Sequence, residues 1–190
     1  MELPLRDALD VAVAEFGSRV SEVPSGAWGR PTPCVDWDVS YLVAHVVGGN
    51  RFAALVLDGM SSDDALARIM SERQLRGPSP SQDFLESAAE QGRQFDHPGR
   101  LDATVSHPLG DLPGSRFLAL RVFDISIHAW DLASSIGADP TLDEHLVDTV
   151  LDIVEHEPPG MGFGITPLGR AGPAATPQDR LLDLTGRRAR

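Results

Sequence analysis

Between residues 121 and 133 the chain reads Arg121-Val-Phe-Asp124-Ile-Ser-Ile-His128-Ala-Trp130-Asp131-Leu-Ala133. No other stretch limits the fold so strongly. Asp124 and His128 are four residues apart, so on a helix they lie on one face, one turn from each other. At about 100° per residue, Arg121, Asp124, His128 and Asp131 share a single stripe. Leu120, Ile125, Ile127 and Leu132 flank it, and Leu118, Val122, Phe123, Ala129, Trp130, Ala133 and Ile136 fill the remaining circumference. A helix that is apolar almost all round is buried. A carboxylate and an imidazole in such surroundings must be paired or must bind a cation. Two readings are open at this point. One is a structural Asp–His or Asp–Arg pair, and the other is two ligands of a metal site completed from other helices.

The same reasoning along the chain predicts an all-α, four-helix bundle with main helices over 5–23, 39–57, 81–95 and 115–136. In the first, Leu5, Leu9, Ala12, Val13, Phe16 and Val20 recur at helical spacing until Pro24. Asp38 suits the N-cap of the second, with Trp37 before it as a staple onto Leu42. Leu42, Val46, Phe52 and Val56 mark the buried side of that helix. His45 lies near the same face, as a core histidine or as a further ligand facing Asp124 and His128. Gly48 and Gly49 weaken the helix and admit a close neighbour, either a backbone or a ligand. A short helix over 61–76 carries Asp63 and Asp64 early and Arg73 and Arg76 late, as the helix dipole favours. Ser81 reads as the N-cap of the third main helix, whose apolar side is Phe84, Leu85, Ala88, Ala89 and Phe95. Residues 101–114 form the one non-helical insert, a small hairpin or compact loop around Gly110-Asp111. His107 lies there, as a loop histidine or a substrate-side contact. Gly137 closes the fourth main helix. Further helices are expected over 142–155 and 178–184, separated by an irregular Gly/Pro-rich stretch in which Phe163 and Ile165 tuck into the core or over the site mouth. Arg187, Arg188 and Arg190 read as a basic tail.

Composition narrows the function. The net charge of -12 argues against gripping nucleic acid by its phosphates and against an anionic membrane surface. No apolar run is read as reaching the ~20 residues that span a bilayer. The start, Met-Glu-Leu-Pro-Leu-Arg-Asp, lacks the features of a signal peptide. The lone Cys34 has no disulfide partner within the chain, which fits a reducing compartment. A single cytoplasmic domain over 1–190 is expected. A homodimer through helix faces is compatible with such a bundle, although no stretch specifies one.

Several motifs carry a resemblance. Pro31-Thr-Pro-Cys34-Val-Asp36-Trp37-Asp38 with Leu42-Val-Ala-His45-Val-Val-Gly-Gly-Asn50-Arg51, then Asp124-Ile-Ser-Ile-His128-Ala-Trp130-Asp131, His107-Pro-Leu-Gly-Asp-Leu-Pro-Gly114 and Gln178-Asp-Arg-Leu-Leu-Asp-Leu-Thr-Gly186 resemble an actinobacterial metal-binding family. That family is related to the N-terminal domain of mycothiol-dependent maleylpyruvate isomerase, within the DinB/YfiT-like four-helix bundles. The resemblance covers nearly the whole chain and is specific for fold and metal site rather than for one reaction. It implies a divalent ion held by His45, Asp124 and His128. In the isomerase branch the position of Asp124 is usually Glu, and elsewhere in the superfamily often His. The shorter Asp would bring an ion closer to its helix. The isomerase also carries a C-terminal domain that contributes to its active site. No counterpart follows here, which weighs against maleylpyruvate isomerisation itself.

Three protein ligands leave a coordination position open, as in catalytic sites. Zinc is the default for this donor set, and iron, nickel and manganese also suit it. The open position would take water or the thiolate of a small thiol such as mycothiol. Asp131 can orient an imidazole, Arg121 can pair within the stripe or attract an anion, and Asn50 and His107 are further candidates for second-layer or substrate contacts. The expected function is a metal-dependent, thiol-using transferase or isomerase acting on a small electrophile. The alternatives are a metal-dependent hydrolase and a non-enzymatic metal- or ligand-binding stress-response protein.

Overall fold

A computed structural model describes residues 2–72, 74, 75, 77, 79–156 and 165–188. Among these, the order is α1 (Leu5–Ser21), α2 (Val39–Leu57), α3 (Ser62–Ser71), α4 (Pro80–Phe95), β1 (Thr104–Val105), β2 (Leu112–Pro113), α5 (Gly114–Ile136), α6 (Glu144–His156) and α7 (Pro177–Leu184). The chain is all-α, with α1, α2, α4 and α5 forming the expected four-helix bundle. Within it α1 lies along α5 and α2 along α4. Phe16 of α1 and Phe84 of α4 meet at 4.9 Å between ring centres. Leu118, Ile125 and Leu132 of α5 are fully enclosed, as the all-round apolar pattern requires. The hairpin expected in the insert is present, with Thr104 opposite Pro113 and Val105 opposite Leu112. Gly114 starts α5 against it, where a Cβ would stand 2.1 Å from the Arg100 carbonyl oxygen.

Several boundaries differ from the sequence reading. Helix α1 ends at Ser21, with Glu22 as its C-cap. Helix α3 stops at Ser71, and Arg73 and Arg76 lie outside the described residues. Ser79 rather than Ser81 caps α4, accepting a hydrogen bond from the Gln82 amide, and Pro80 takes the first turn, where its missing N–H costs nothing. Leu85 is exposed, and Ala89 with it. The inward face of α4 instead carries Asp83, Ser87 and Gln91 beside Phe84, Ala88 and Phe95. Phe163 lies outside the described residues, whereas Ile165 packs against the core. Helix α2 is 19 residues long with a mean hydropathy of 1.3, apolar and long enough by composition to cross a bilayer, contrary to the reading of the sequence. Just over half of it is buried inside the bundle, so its apolar side is a core face.

The segment before α2 is tightly folded. The Thr32 amide bonds the Trp37 carbonyl at 3.0 Å and the Trp37 amide bonds the Cys34 carbonyl at 3.2 Å. The Thr32 hydroxyl accepts from the Cys34 amide at 3.1 Å. Closing this turn puts Asp36 at φ 64°, a conformation that Asp tolerates better than most residues. Asp38 then caps α2, accepting from the Tyr41 amide at 2.8 Å. The turn thereby presents Cys34 and Trp37 to α5. The Trp37 ring packs against the core beside α2 and meets Tyr41 and His45 at tilted angles, with centres 4.8 and 4.7 Å away.

Candidate metal centre and adjoining pocket

Facing turns of α2 and α5 bring His45, Asp124 and His128 together. His45 Nε2 lies 3.3 Å from Asp124 Oδ1, and His128 Nε2 lies 3.5 Å from the same oxygen. The three donor atoms all fall within 4.8 Å of one another. Ligands about 2.0–2.1 Å from a tetrahedral ion stand roughly 3.3 Å apart, so the two separations from Asp124 Oδ1 match edges of a zinc coordination tetrahedron. Nitrogen, nitrogen and carboxylate oxygen also suit a borderline divalent ion. The residues fit the group that the sequence implies.

Neighbouring polar groups hold Asp124 and His128. Burial opposes charge on Asp124, and Arg121, His45 and His128 together outweigh it, keeping its carboxyl well below the usual range. Arg121 donates to Asp124 Oδ2 at 2.8 Å, to the Gln91 side-chain oxygen at 2.8 Å and to the Asn50 side-chain oxygen at 2.8 Å. Asn50, fully enclosed, donates onward to the Ser87 hydroxyl at 3.1 Å. These bonds explain Ser87 and Gln91 on the inner face of α4, while Asp83 there pairs with Arg51 and accepts the Gly77 amide. Gly49 explains the close fit, since a Cβ there would stand 2.5 Å from Arg121 Nη1. The close neighbour that Gly49 admits is thus the guanidinium, whereas Gly48 faces Ile69 and Gln74. Arg121 pairs with Asp124 rather than with Asp131, and Asn50 supports Arg121.

Asp131 is fully buried and its Oδ2 lies 2.9 Å from His128 Nδ1. A proton held on Nδ1 leaves Nε2 as the donor atom facing Asp124. Burial pushes the His128 imidazole toward neutrality, but Asp124 above all, with Asp131 and Cys34, raises its pKa well above the ordinary value. Burial likewise opposes charge on Asp131, and the hydrogen bonds from His128 and Arg187 overcome it, holding the carboxyl at about 2. Arg187 is therefore not part of a free basic tail. Its Nε and Nη2 donate to Asp131 Oδ1 and Oδ2 at 3.0 and 2.7 Å. The Cys34 thiol donates to Oδ2 at 3.3 Å. Cys34, His128 and Asp131 also form a compact donor set. Arg187 already supplies a cation there, 3.8 Å from the Cys34 sulfur, so this cluster does not suit a second ion.

A pocket of about 470 Å³ opens beside His45 and Asp124. Its walls are Ala44, Phe52, Ile69, Phe117 and Leu120 with His107 and Pro108 from the hairpin, and Tyr41, Leu66 and Met70 stand at its exposed rim. His107 packs edge-on against Phe52 and Phe117, with ring centres 6.2 and 5.3 Å away. Burial, with Arg116 and Arg121 nearby, lowers its pKa. Its Nδ1 accepts the Leu109 amide at 3.2 Å, so the neutral ring carries its proton on Nε2 and is a donor rather than a base. The hairpin brings His107 to the pocket wall, whereas Asn50 is not part of it. His145 and His156 lie on α6 beside Glu144 and Asp152, away from this centre. Cys34, Trp37 and Arg187 are the neighbours that the sequence reading did not bring to the site.

The arrangement has recognisable relatives. The family model described as the mycothiol maleylpyruvate isomerase N-terminal domain matches residues 9–133. Two uncharacterized proteins of Mycobacterium tuberculosis, from strains CDC 1551 / Oshkosh and H37Rv, are each 34% identical over 135 residues. The alignment covers 69% of this chain and 66% of each relative, so the chain spans slightly less than two thirds of their length. Crystal structures of mycothiol-dependent maleylpyruvate isomerase, one of a histidine-to-alanine mutant, share the fold. Their TM-scores are 0.61 for the mutant and 0.59, at 19% identity, covering 80% of this chain and 70% of theirs. The chain belongs to the family of the mycothiol maleylpyruvate isomerase N-terminal domain.

Proposed function

We propose that this protein is a divalent-metal enzyme that uses a small thiol, of the mycothiol type, to transfer to or isomerise a small electrophile. The observation that carries the reading is the His45, Asp124 and His128 triad, spaced 3.3 and 3.5 Å about one carboxylate oxygen and adjoining an apolar pocket of about 470 Å³. His45, Asp124 and His128 would hold a divalent ion, zinc by default, which would supply the Lewis acidity that lowers the pKa of a thiol or water. The chain's own residues do the rest. Arg121 keeps Asp124 ionised and aimed. Asp131 holds a proton on Nδ1 of His128 and so commits Nε2 to the ion. Trp37 packs at an angle against both imidazoles, with ring centres 4.7 and 5.7 Å away, and leaves His45 open to the pocket while His128 is buried.

The pocket walls select an electrophile with an apolar body, and Tyr41, Leu66 and Met70 at the rim extend that surface outward. His107 offers an N–H to a substrate oxygen. Hydrolysis is the weaker alternative, because His107 presents a proton donor where a hydrolase needs a base. A reducing compartment keeps Cys34 and a small thiol available, so the reading is of a cytoplasmic protein. The test is consumption of an aromatic electrophile by the zinc-loaded protein with and without mycothiol. Thiol-dependent turnover that disappears in His128→Ala is expected. Stoichiometric zinc with no turnover would overturn the enzymatic reading in favour of a metal- or ligand-binding protein.

A further inference from the structure

Three donors converge on one carboxylate behind the metal triad, and two of them come from distant parts of the chain. Asp131 Oδ2 receives His128 from its own helix, Cys34 from the turn before α2 and Arg187 from the segment after α7, at 2.9, 3.3 and 2.7 Å. Arg187 Nε also takes Oδ1 at 3.0 Å, so both carboxylate oxygens are fixed by one planar guanidinium. Its backbone is placed by the close of α7, where the Arg187 amide donates to the Leu182 carbonyl at 2.7 Å and Nη1 to the Thr185 carbonyl at 2.7 Å. Gly186 makes this fold-back possible at φ 74°, a conformation that suits glycine. Asp131 is completely enclosed and the Arg187 side chain is 14% exposed. The pair is therefore a buried fork between the C-terminal segment and the carboxylate behind His128.

We infer that Arg187 is a positioning residue for the metal centre: it locks Asp131 in the one orientation that accepts the His128 Nδ1 proton, and so sets how strongly His128 Nε2 binds the ion. The inference rests on the three-ligand reading of His45, Asp124 and His128. Arg187 lies outside residues 9–133 that match the family model, so the chain after α5 contributes a part of the site that the matched domain alone does not. Lysine at this position would keep the charge but lose the two-pronged grip. Methionine would keep the length and leave Asp131 buried without its cation.

The test is cobalt(II) titration of the full chain for wild type, Arg187→Lys, Arg187→Met and Arg188→Ala, read by visible absorption and competed with zinc, alongside thermal melts without metal. Arg188 is exposed and serves as the control in the same segment. Expected are one equivalent in every variant, affinity reduced about 10–100-fold in Arg187→Met, an intermediate loss in Arg187→Lys, a shifted cobalt band in both, and no change in Arg188→Ala. If Arg187→Met does not fold, Arg187→Lys carries the test. Lower melting temperatures with wild-type cobalt affinity and spectrum would make Arg187 merely structural and overturn the inference. A wild type that takes no cobalt or zinc would instead remove the metal reading, and the positioning role with it.

Discussion

Asp124 stands between a cation it already holds and two imidazoles that it holds apart. Its Oδ2 takes Arg121 at 2.8 Å, and its Oδ1 lies 3.3 and 3.5 Å from the two histidines. Asp124→Asn keeps the shape but removes the charge from all three neighbours. It should weaken zinc binding at least tenfold in a competition titration, by the general sensitivity of such sites to their ligands and supports. Gly49 gives a test of the guanidinium network. Gly→Ala in a helix ordinarily stabilises by about 1 kcal/mol. Here the added Cβ would meet Nη1 of an Arg121 pinned by Asp124, Gln91 and Asn50, and overpacking typically costs about 1–3 kcal/mol. Gly49→Ala should lower stability in urea unfolding; a gain would mean that the guanidinium moves aside freely. His45, Asp124 and His128 were legible as neighbours because they lie on helices whose apolar periodicity is clear. Cys34, Trp37 and Arg187 were not, because turns and a chain end carry them to α5 across 97, 91 and 56 residues of sequence, the first and last of these bonded to Asp131 and Trp37 stacked on His128. Spacing along the chain says nothing about such contacts.

At the scale of elements, α5 is the axis on which the site and the core both depend. Its apolar pattern all round correctly signalled a central helix, and Leu132, fully enclosed one residue after Asp131, shows how closely packing and site are interleaved. Leu132→Ala should cost about 2–5 kcal/mol in denaturant unfolding; a loss well below 1 kcal/mol would mean that the core around α5 collapses readily. Helix α4 was harder to read. Its sequence suggests Phe84, Leu85, Ala88 and Ala89 as the buried side, yet Ser87 and Gln91 face inward because they complete the Asn50 and Arg121 network. Apolar periodicity misassigns a face when a buried polar network claims part of it.

At the scale of the whole molecule, the four main helices and the hairpin were legible, since each long apolar repeat is bounded by a cap, a proline or a glycine. After α6 the helix expected over 178–184 was legible as well, whereas the fork between Arg187 and Asp131 was not, because it depends on tertiary placement alone. Linkage gives a global consequence of the metal reading. At 100-fold excess over Kd, zinc should stabilise the native chain by about 2.7 kcal/mol, a rise of roughly 5–11 °C in Tm for a domain of this size. His45→Ala should show no such rise in a thermal melt, and an equal rise would mean that zinc binds elsewhere.

The central claim is the three-ligand centre, and elemental analysis tests it most directly, on protein purified without a metal-affinity tag, for wild type and His45→Ala. About one equivalent of divalent metal is expected in wild type, and its loss in the variant. A wild type that is metal-free and cannot be loaded with zinc, iron, nickel or manganese would contradict it, leaving Asp124 and His128 as a structural pair.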